Sequence, residues 1–214
     1  MHNRKTALIA LTLVQLFYGL TFTFANDVIV GGHIKPFGFI LIRVVCGGML
    51  FWLFGLVTPT KKIDSKDFPK LVAAAFFGVA LNMLAFFKGL EYTTPINGAV
   101  IMITTPIIVL ILSAILLKEP IKKIKVFGIA LGLSGALILS LYGESSENGT
   151  NILLGNFLVF VNASSYSYYL ILIKKLTLKY HPYDFIKWLF LFGGLMVLPF
   201  GFHEVAAVQW ATLP

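Results

Sequence analysis

Apolar residues gather into seven long runs, parted by short polar segments. The runs lie near 7–25, 37–57, 69–90, 95–117, 123–141, 152–173 and 184–202. A helix needs roughly 20 apolar residues to cross about 30 Å of hydrocarbon, and each run is about that long. The pattern predicts an all-α membrane protein of about seven transmembrane helices. Lipid is then the solvent, so a polar side chain held at mid-depth needs a partner or a task.

Composition fits this class: 58% of residues are hydrophobic and 12% charged, against about 25% charged in a soluble domain. The net charge of +8 matters through its placement. With the N-terminus in the cytoplasm, alternate loops hold Arg4, Lys5, Lys61, Lys62, Lys66, Lys70, Lys118, Lys122, Lys123, Lys125, Lys174, Lys175, Lys179 and Lys187. These are 14 of the 17 Lys and Arg residues. The loop 142–151 on the other side has none. This follows the positive-inside rule and predicts a multi-pass protein of a bacterial inner membrane with a cytoplasmic N-terminus. The basic excess reads as topology, with anionic lipids as neighbours, and leaves no basic face for nucleic acid.

The first run is too long for a signal-peptide core and is taken as an uncleaved span. Cys46 is the single cysteine, so no disulfide framework is expected. The four histidines are scattered, and neither a nucleophile elbow nor a phosphate loop occurs. No cofactor, metal or enzymatic activity is expected.

An internal repeat organises the chain. At an offset of 146, Pro36, Phe39 and Ile40 fall on Pro182, Phe185 and Ile186, Gly47 and Gly48 on Gly193 and Gly194, and Phe54 and Gly55 on Phe200 and Gly201. Five spans precede the second copy, and an odd number inverts its topology. The expected organisation is a complete five-helix repeat over 1–143 and the start of an inverted second repeat over 152–214. By the same reasoning about three spans of the second copy are missing, so the chain is expected to be a fragment or the product of a truncated gene, rather than a natural seven-span form, and to transport poorly or not at all by itself.

Gly89-Leu90-Glu91-Tyr92-Thr93-Thr94, the Thr105-Pro106 pair inside the fourth run, and Lys118-Glu119-Pro120 after it occur in order. The glycine-rich Gly128, Gly132 and Gly135 follow, and Arg43 lies in the second run. This ordered set resembles the first half of an EamA-type transporter of the drug/metabolite transporter superfamily. The resemblance implies a secondary transporter of a small metabolite, working as an exporter by alternating access. Its partners would be the substrate and membrane lipids, with a coupling ion and a homodimer left open. The alternatives are a seven-helix receptor or photoreceptor and an integral-membrane lipid enzyme. A cytoplasmic N-terminus and a seventh span without a buried Schiff-base lysine argue against the first. The absence of an interfacial acidic or histidine cluster argues against the second.

Candidate substrate-binding residues follow from depth and spacing. Pro106 removes a backbone donor mid-span and bends the helix, with Thr104 and Thr105 beside it. Asn162, Ser165, Tyr166 and Tyr169 are spaced i, i+3, i+4, i+7 and share one helix face. Gln15, Tyr18 and Asn82 lie at similar depth. Arg43, costly in a span, completes the set as a candidate for an anionic substrate group or an ion pair. The three glycines of the fifth run read as a close-packing face, and Lys88 with Glu91 as a local ion pair.

Overall fold

In a computed structural model the description covers residues 6, 8–14, 16, 17, 20, 28, 32–58, 61–142, 151–208 and 210. Among these there is no strand. The helices are α1 (Pro36–Val57), α2 (Ser65–Leu90), α3 (Pro95–Met102), α4 (Thr105–Leu116), α5 (Lys123–Tyr142), α6 (Ile152–Thr177) and α7 (Pro182–Ala206). Five stretches are long and apolar enough to cross a membrane: α1, α2, Asn97–Leu116, α6 and α7. They match the second, third, fourth, sixth and seventh predicted runs. Helix α5 occupies the fifth, residues 8–14 of the first are helical, and residues 21–25 of that first run lie outside the described residues.

The sequence sets the helix boundaries by familiar means. Pro36, Pro95 and Pro182 each stand in a first turn, where a missing N–H costs nothing. Thr94 accepts at its hydroxyl from the Asn97 N–H (3.2 Å), and Asn151 at its side-chain carbonyl from the Leu154 N–H (3.2 Å). Helix α2 starts four residues before the predicted run, and α6 and α7 outlast theirs. Hydropathy registers only the hydrocarbon-crossing part, and these helices extend into their polar flanks. One departure had no sequence signal. Phe76–Ala80 of α2 is a π-turn, which widens the helix and frees a backbone carbonyl.

Helices α1 and α7 lie antiparallel. The Glu204 carboxylate, late in α7, accepts from the Gly38 N–H early in α1 (2.8 Å). Asp184, early in α7, accepts from the Lys61 N–H just past α1 (2.8 Å). Pro36 and Pro182 therefore stand at opposite ends of the bundle. One core cluster joins Leu71 and Ala74 of α2 to Leu176, Phe185 and Leu189, and a second joins Ile40, Val44, Val79 and Val197. Helix α2 contributes to both.

One end of the bundle collects the lysine-rich segments. Buried Asp67 accepts from Tyr180 Oη (2.8 Å), Lys179 Nζ (2.7 Å) and Lys70 Nζ (2.8 Å). Asp64 pairs with Lys179, and Glu119 with Lys174. The hydrogen bond and charge of Lys179 hold the Asp64 carboxyl below its usual range, and Asp64 in turn holds the Lys179 ammonium above its own. Lys174 likewise lowers Glu119. At the other end, Asn151 N–H donates to Tyr92 O (3.2 Å) and Thr93 Oγ1 to Asn156 Oδ1 (2.5 Å). Both ends of the α2–α6 pair are thus tied.

Candidate functional site: a broken span and a polar seam

The fourth predicted run is two helices. Helix α3 ends at Met102, Ile103 and Thr104 form a turn, and α4 restarts at Thr105 with Pro106 in its first turn. The break thus lies ahead of the proline, because Pro106 has no N–H to offer Met102 and suits the start of a helix better than its interior. Thr104 closes the turn: its hydroxyl donates to Ile101 O (2.6 Å), while its carbonyl accepts from Ile107 and Ile108. Sequence alone placed a bend here, and the structure shows it as a tight turn in which Ile103 and Thr104 keep right-handed helical angles.

A cavity of about 930 Å³ opens beside the break, between α3, α4 and α5, with Leu170 of α6 at its wall. Thr105, Pro106, Ser113 and Lys125 line it, together with Gly128 and Gly132. Most of the lining is aliphatic. The Thr105 hydroxyl is buried and has no hydrogen-bond partner. The Thr105 carbonyl accepts from Ser167 Oγ of α6 (3.3 Å). No described atom comes within 4 Å of a Cβ placed on Gly128, Gly132 or Gly135. Their smallness does not serve close helix packing among the described residues, as sequence had suggested; two of the three widen the cavity instead.

Asn162, Ser165 and Tyr169 of the α6 stripe all meet α2. Asn162 and Ser165 are buried against α2. Asn162 Nδ2 donates to Asn82 O (2.7 Å), Asn82 Nδ2 to Asn162 O (3.5 Å), and Ser165 Oγ to Phe77 O (2.6 Å). The last bond satisfies a carbonyl of the π-turn. Asn162 Oδ1 remains buried without a partner. Further along the same face, Tyr166 is 37% exposed, with its ring 5.8 Å from that of Tyr169. The Tyr169 ring covers Gly78, leaving no room there for a side chain.

The structure therefore brings Asn82, Asn162 and Ser165 together as a seam, and Thr105 with Pro106 at the cavity. Thr104 faces its own turn. Arg43 is exposed and makes no ion pair among the described residues. Glu91 pairs with Lys88 (2.5 Å), as the spacing of the two suggests. Gln15 and Tyr18 lie outside the described residues. Sequence reasoning missed Ser167, fully buried and bonded to Ala163 O (2.7 Å) as well as Thr105 O, and the Thr93–Asn156 pair. A serine one face away from a recognised stripe gives little warning, because its partner is a backbone carbonyl.

Comparison with known proteins places this geometry. The EamA-like transporter family matches residues 5–141. The uncharacterized transporter YetK of Bacillus subtilis is 29% identical over 175 residues, which is 81% of this chain and 52% of that protein. An uncharacterized transporter of Archaeoglobus fulgidus is 30% identical over 192 residues, 90% of this chain and 66% of that one. The chain thus spans about half to two thirds of these relatives' length. A crystal structure at 18% identity superposes with a TM-score of 0.65, covering 83% of this chain and 61% of the other, and likens the fold alone.

Proposed function

Because this chain belongs to the EamA-like transporter family, we propose that it is part of a secondary transporter that exports a small metabolite by alternating access, with its substrate path at the broken fourth span. The observation that carries this is the cavity of about 930 Å³ beside the α3–α4 kink, lined by Thr105, Pro106 and Ser113. Irregular backbone at membrane depth is tolerated where it lines a cavity, and broken helices are where transporters of this architecture hold substrate. In this reading Thr105 and Pro106 contact substrate, with Ser113 and Lys125 on the same wall. Asn82, Asn162 and Ser165 join α2 to α6, and Ser167 of α6 donates to the Thr105 carbonyl of that wall; the roles of Tyr166 and Tyr169 in this reading rest on their place on the same α6 face. The aliphatic lining suits a largely apolar solute with one polar group.

Support for an inverted repeat comes from reciprocal contacts between α1 and α7. A Cβ on Gly48 would meet Phe190 at 3.4 Å, and one on Gly194 would meet Val44 at 3.5 Å. At the repeat offset Gly48 corresponds to Gly194 and Val44 to Phe190. Likewise Gly55 faces Lys187 and Gly201 faces Leu41, again exchanged by the offset. Exchange of partners is the mark of a two-fold relation, and with antiparallel helices its axis lies in the membrane plane. The positive-inside rule then puts the lysine-rich end in the cytoplasm, in an inner membrane.

The test uses the single native cysteine. In a Cys46→Ser background, Thr105→Cys and Ser113→Cys should react with a membrane-impermeant maleimide in native membranes much faster than Ile115→Cys, whose side chain is 66% exposed on the outside of α4. Equal rates at all three positions would mean that no aqueous path runs by the break. Reporters fused after Lys123 and after Ser146 should read cytoplasm and exterior respectively.

A further inference from the structure

A second, smaller cavity sits at the lysine-rich end, away from the broken span. It holds about 240 Å³ and is lined by Lys61, Lys62, Ile63, Phe68, Lys187 and Trp188. Three cations thus stand over an aromatic floor. The Trp188 ring packs on Phe68 (5.1 Å) and Trp52 (5.3 Å), and Lys187 Nζ lies 5.1 Å from the Trp52 ring centre.

The acids of this end are engaged elsewhere. Asp64 and Asp67 hold Lys179, with Lys70 on Asp67. Buried Asp184 spends its carboxylate on the backbone N–H groups of Lys61 (2.8 Å) and His181 (3.0 Å). Among the described residues neither Lys61 nor Lys62 has an ion-pair partner. The bond to Asp184 pins the backbone of Lys61, so the cavity's rim is positioned.

Packing does not demand these charges. Lys187 lies over Gly55, its ammonium 3.5 Å from the place of a Cβ. The equivalent contact at the opposite end is Leu41 over Gly201. The equivalents of Lys61 and Lys62 are Ala207 and Val208. The same helix crossing is built there with no cation at these three positions.

We propose that Lys61, Lys62 and Lys187 bind the headgroup phosphate of an anionic glycerophospholipid, with Phe68, Trp188 and Trp52 meeting the glycerol and upper acyl chains. A cavity of 240 Å³ is below the size of a drug-sized ligand site, so it takes a headgroup and leaves the chains outside. The neighbouring last turn of α1 exposes Leu56 (82%) and Val57 (86%), an apolar surface for those chains. Cations above interfacial tryptophan fit an amphiphile with a negative head.

The chain has three tryptophans, two of them at this site. In a Trp210→Phe background the full chain is placed in phosphatidylcholine nanodiscs, and phosphatidylglycerol brominated in its acyl chains is titrated in. Quenching should be saturable and should favour brominated phosphatidylglycerol over brominated phosphatidylcholine. Each lysine should contribute about fivefold, so K61Q/K62Q/K187Q should lose on the order of a hundredfold and approach parity between the lipids. The control K122Q/K123Q/K175Q removes equal charge from the same end and should retain the preference. No preference in the parent protein overturns the proposal, as does an equal loss in the control, which would mean diffuse surface charge. Displacement of the lipid by inorganic phosphate or glycerol phosphate at a similar concentration would assign the site to a soluble anion instead. Should the triple variant misfold, the lipid preference and the phosphate competition in the parent protein still decide.

Discussion

Replacing Gly155 by alanine should destabilise the protein, and the same change at Gly132 should not. A Cβ on Gly155 would stand 2.6 Å from both the backbone nitrogen and Cβ of Thr93, and 2.8 Å from Gly89 O. Ordinary contact begins at 3.4 Å, so the shortfall is 0.8 Å (3.4 less 2.6). The obstructing atoms are mostly backbone and cannot rotate away. They are held there by Asn151 N–H on Tyr92 O and by Thr93 on Asn156. Overpacking of this kind costs about 1–3 kcal/mol, and parting the helices also weakens the Thr93–Asn156 bond, worth about 0.6 kcal/mol in a membrane. Alanine's better helix propensity returns up to about 1 kcal/mol. The net loss should be about 1–2 kcal/mol for Gly155→Ala, against no loss or a slight gain for Gly132→Ala, where nothing lies within 4 Å. Unfolding in mixed micelles with increasing dodecyl sulfate, followed by circular dichroism, measures both. Equal stability of Gly155→Ala and the parent protein would refute the close crossing of α2 and α6, and an equal loss at Gly132 would refute the open cavity.

Three further outcomes are expected. Ser165→Ala removes the hydroxyl that donates to the Phe77 carbonyl of the π-turn and should cost about 1 kcal/mol in the same assay; no change would mean that this bond adds nothing to the α2–α6 crossing. Glu204→Ala removes the acceptor at the Gly38 N–H and should cost about 0.5–2 kcal/mol, seen also as faster amide exchange in the first turn of α1. The Asp64–Lys179 pair sets a pH window: Asp64 is depressed, so its contribution is present above its unfolded pKa of about 4 and is lost as pH falls through its lower folded value. Lys179 is raised, so its contribution is complete below about 10.4 and is lost only in stronger alkali. The stability gap between the parent protein and Lys179→Gln should therefore stay flat from about pH 5 to 9 and shrink in acid; a gap that grows in acid would contradict the assignment.

Hydropathy made the spans legible because lipid demands a continuous apolar run and a closed backbone ladder. The proline at 106 was equally legible as a disturbance, since its chemistry is local. What pairs with what was not legible. Ser165 and Ser167 both find backbone carbonyls, Phe77 and Thr105, and a carbonyl carries no residue identity to read. The π-turn that offers the Phe77 carbonyl depends on how α2 and α6 meet. The stripe Asn162, Ser165, Tyr166, Tyr169 was a true helix face, and three of its members meet one neighbour, α2, by different means: Asn162 and Ser165 through backbone carbonyls and Tyr169 through a glycine. A helical wheel gives azimuth and cannot say which neighbour fills it. The glycines of α5 show the same limit from the other side: small residues at helical spacing allow close approach, and here the approach among the described residues is not made.

The α1–α7 pair separates two kinds of constraint that a single sequence superimposes. Glycines at 48, 55, 194 and 201 and their opposing side chains obey the repeat offset, because a helix crossing needs a small residue under a large one wherever it occurs. Charge does not obey it. Leu41 and Lys187 occupy equivalent places over equivalent glycines, and Lys61 and Lys62 correspond to Ala207 and Val208. On the proposed inverted duplication, the two copies would meet opposite faces of the bilayer, and the faces differ in potential and lipid charge. Packing is then selected by the partner helix and stays symmetric, while charge is selected by the membrane face and diverges. Positions where two equivalent residues pack alike but differ in charge are therefore where this chain reports on its surroundings rather than on its own fold, and Lys187 is the clearest of them.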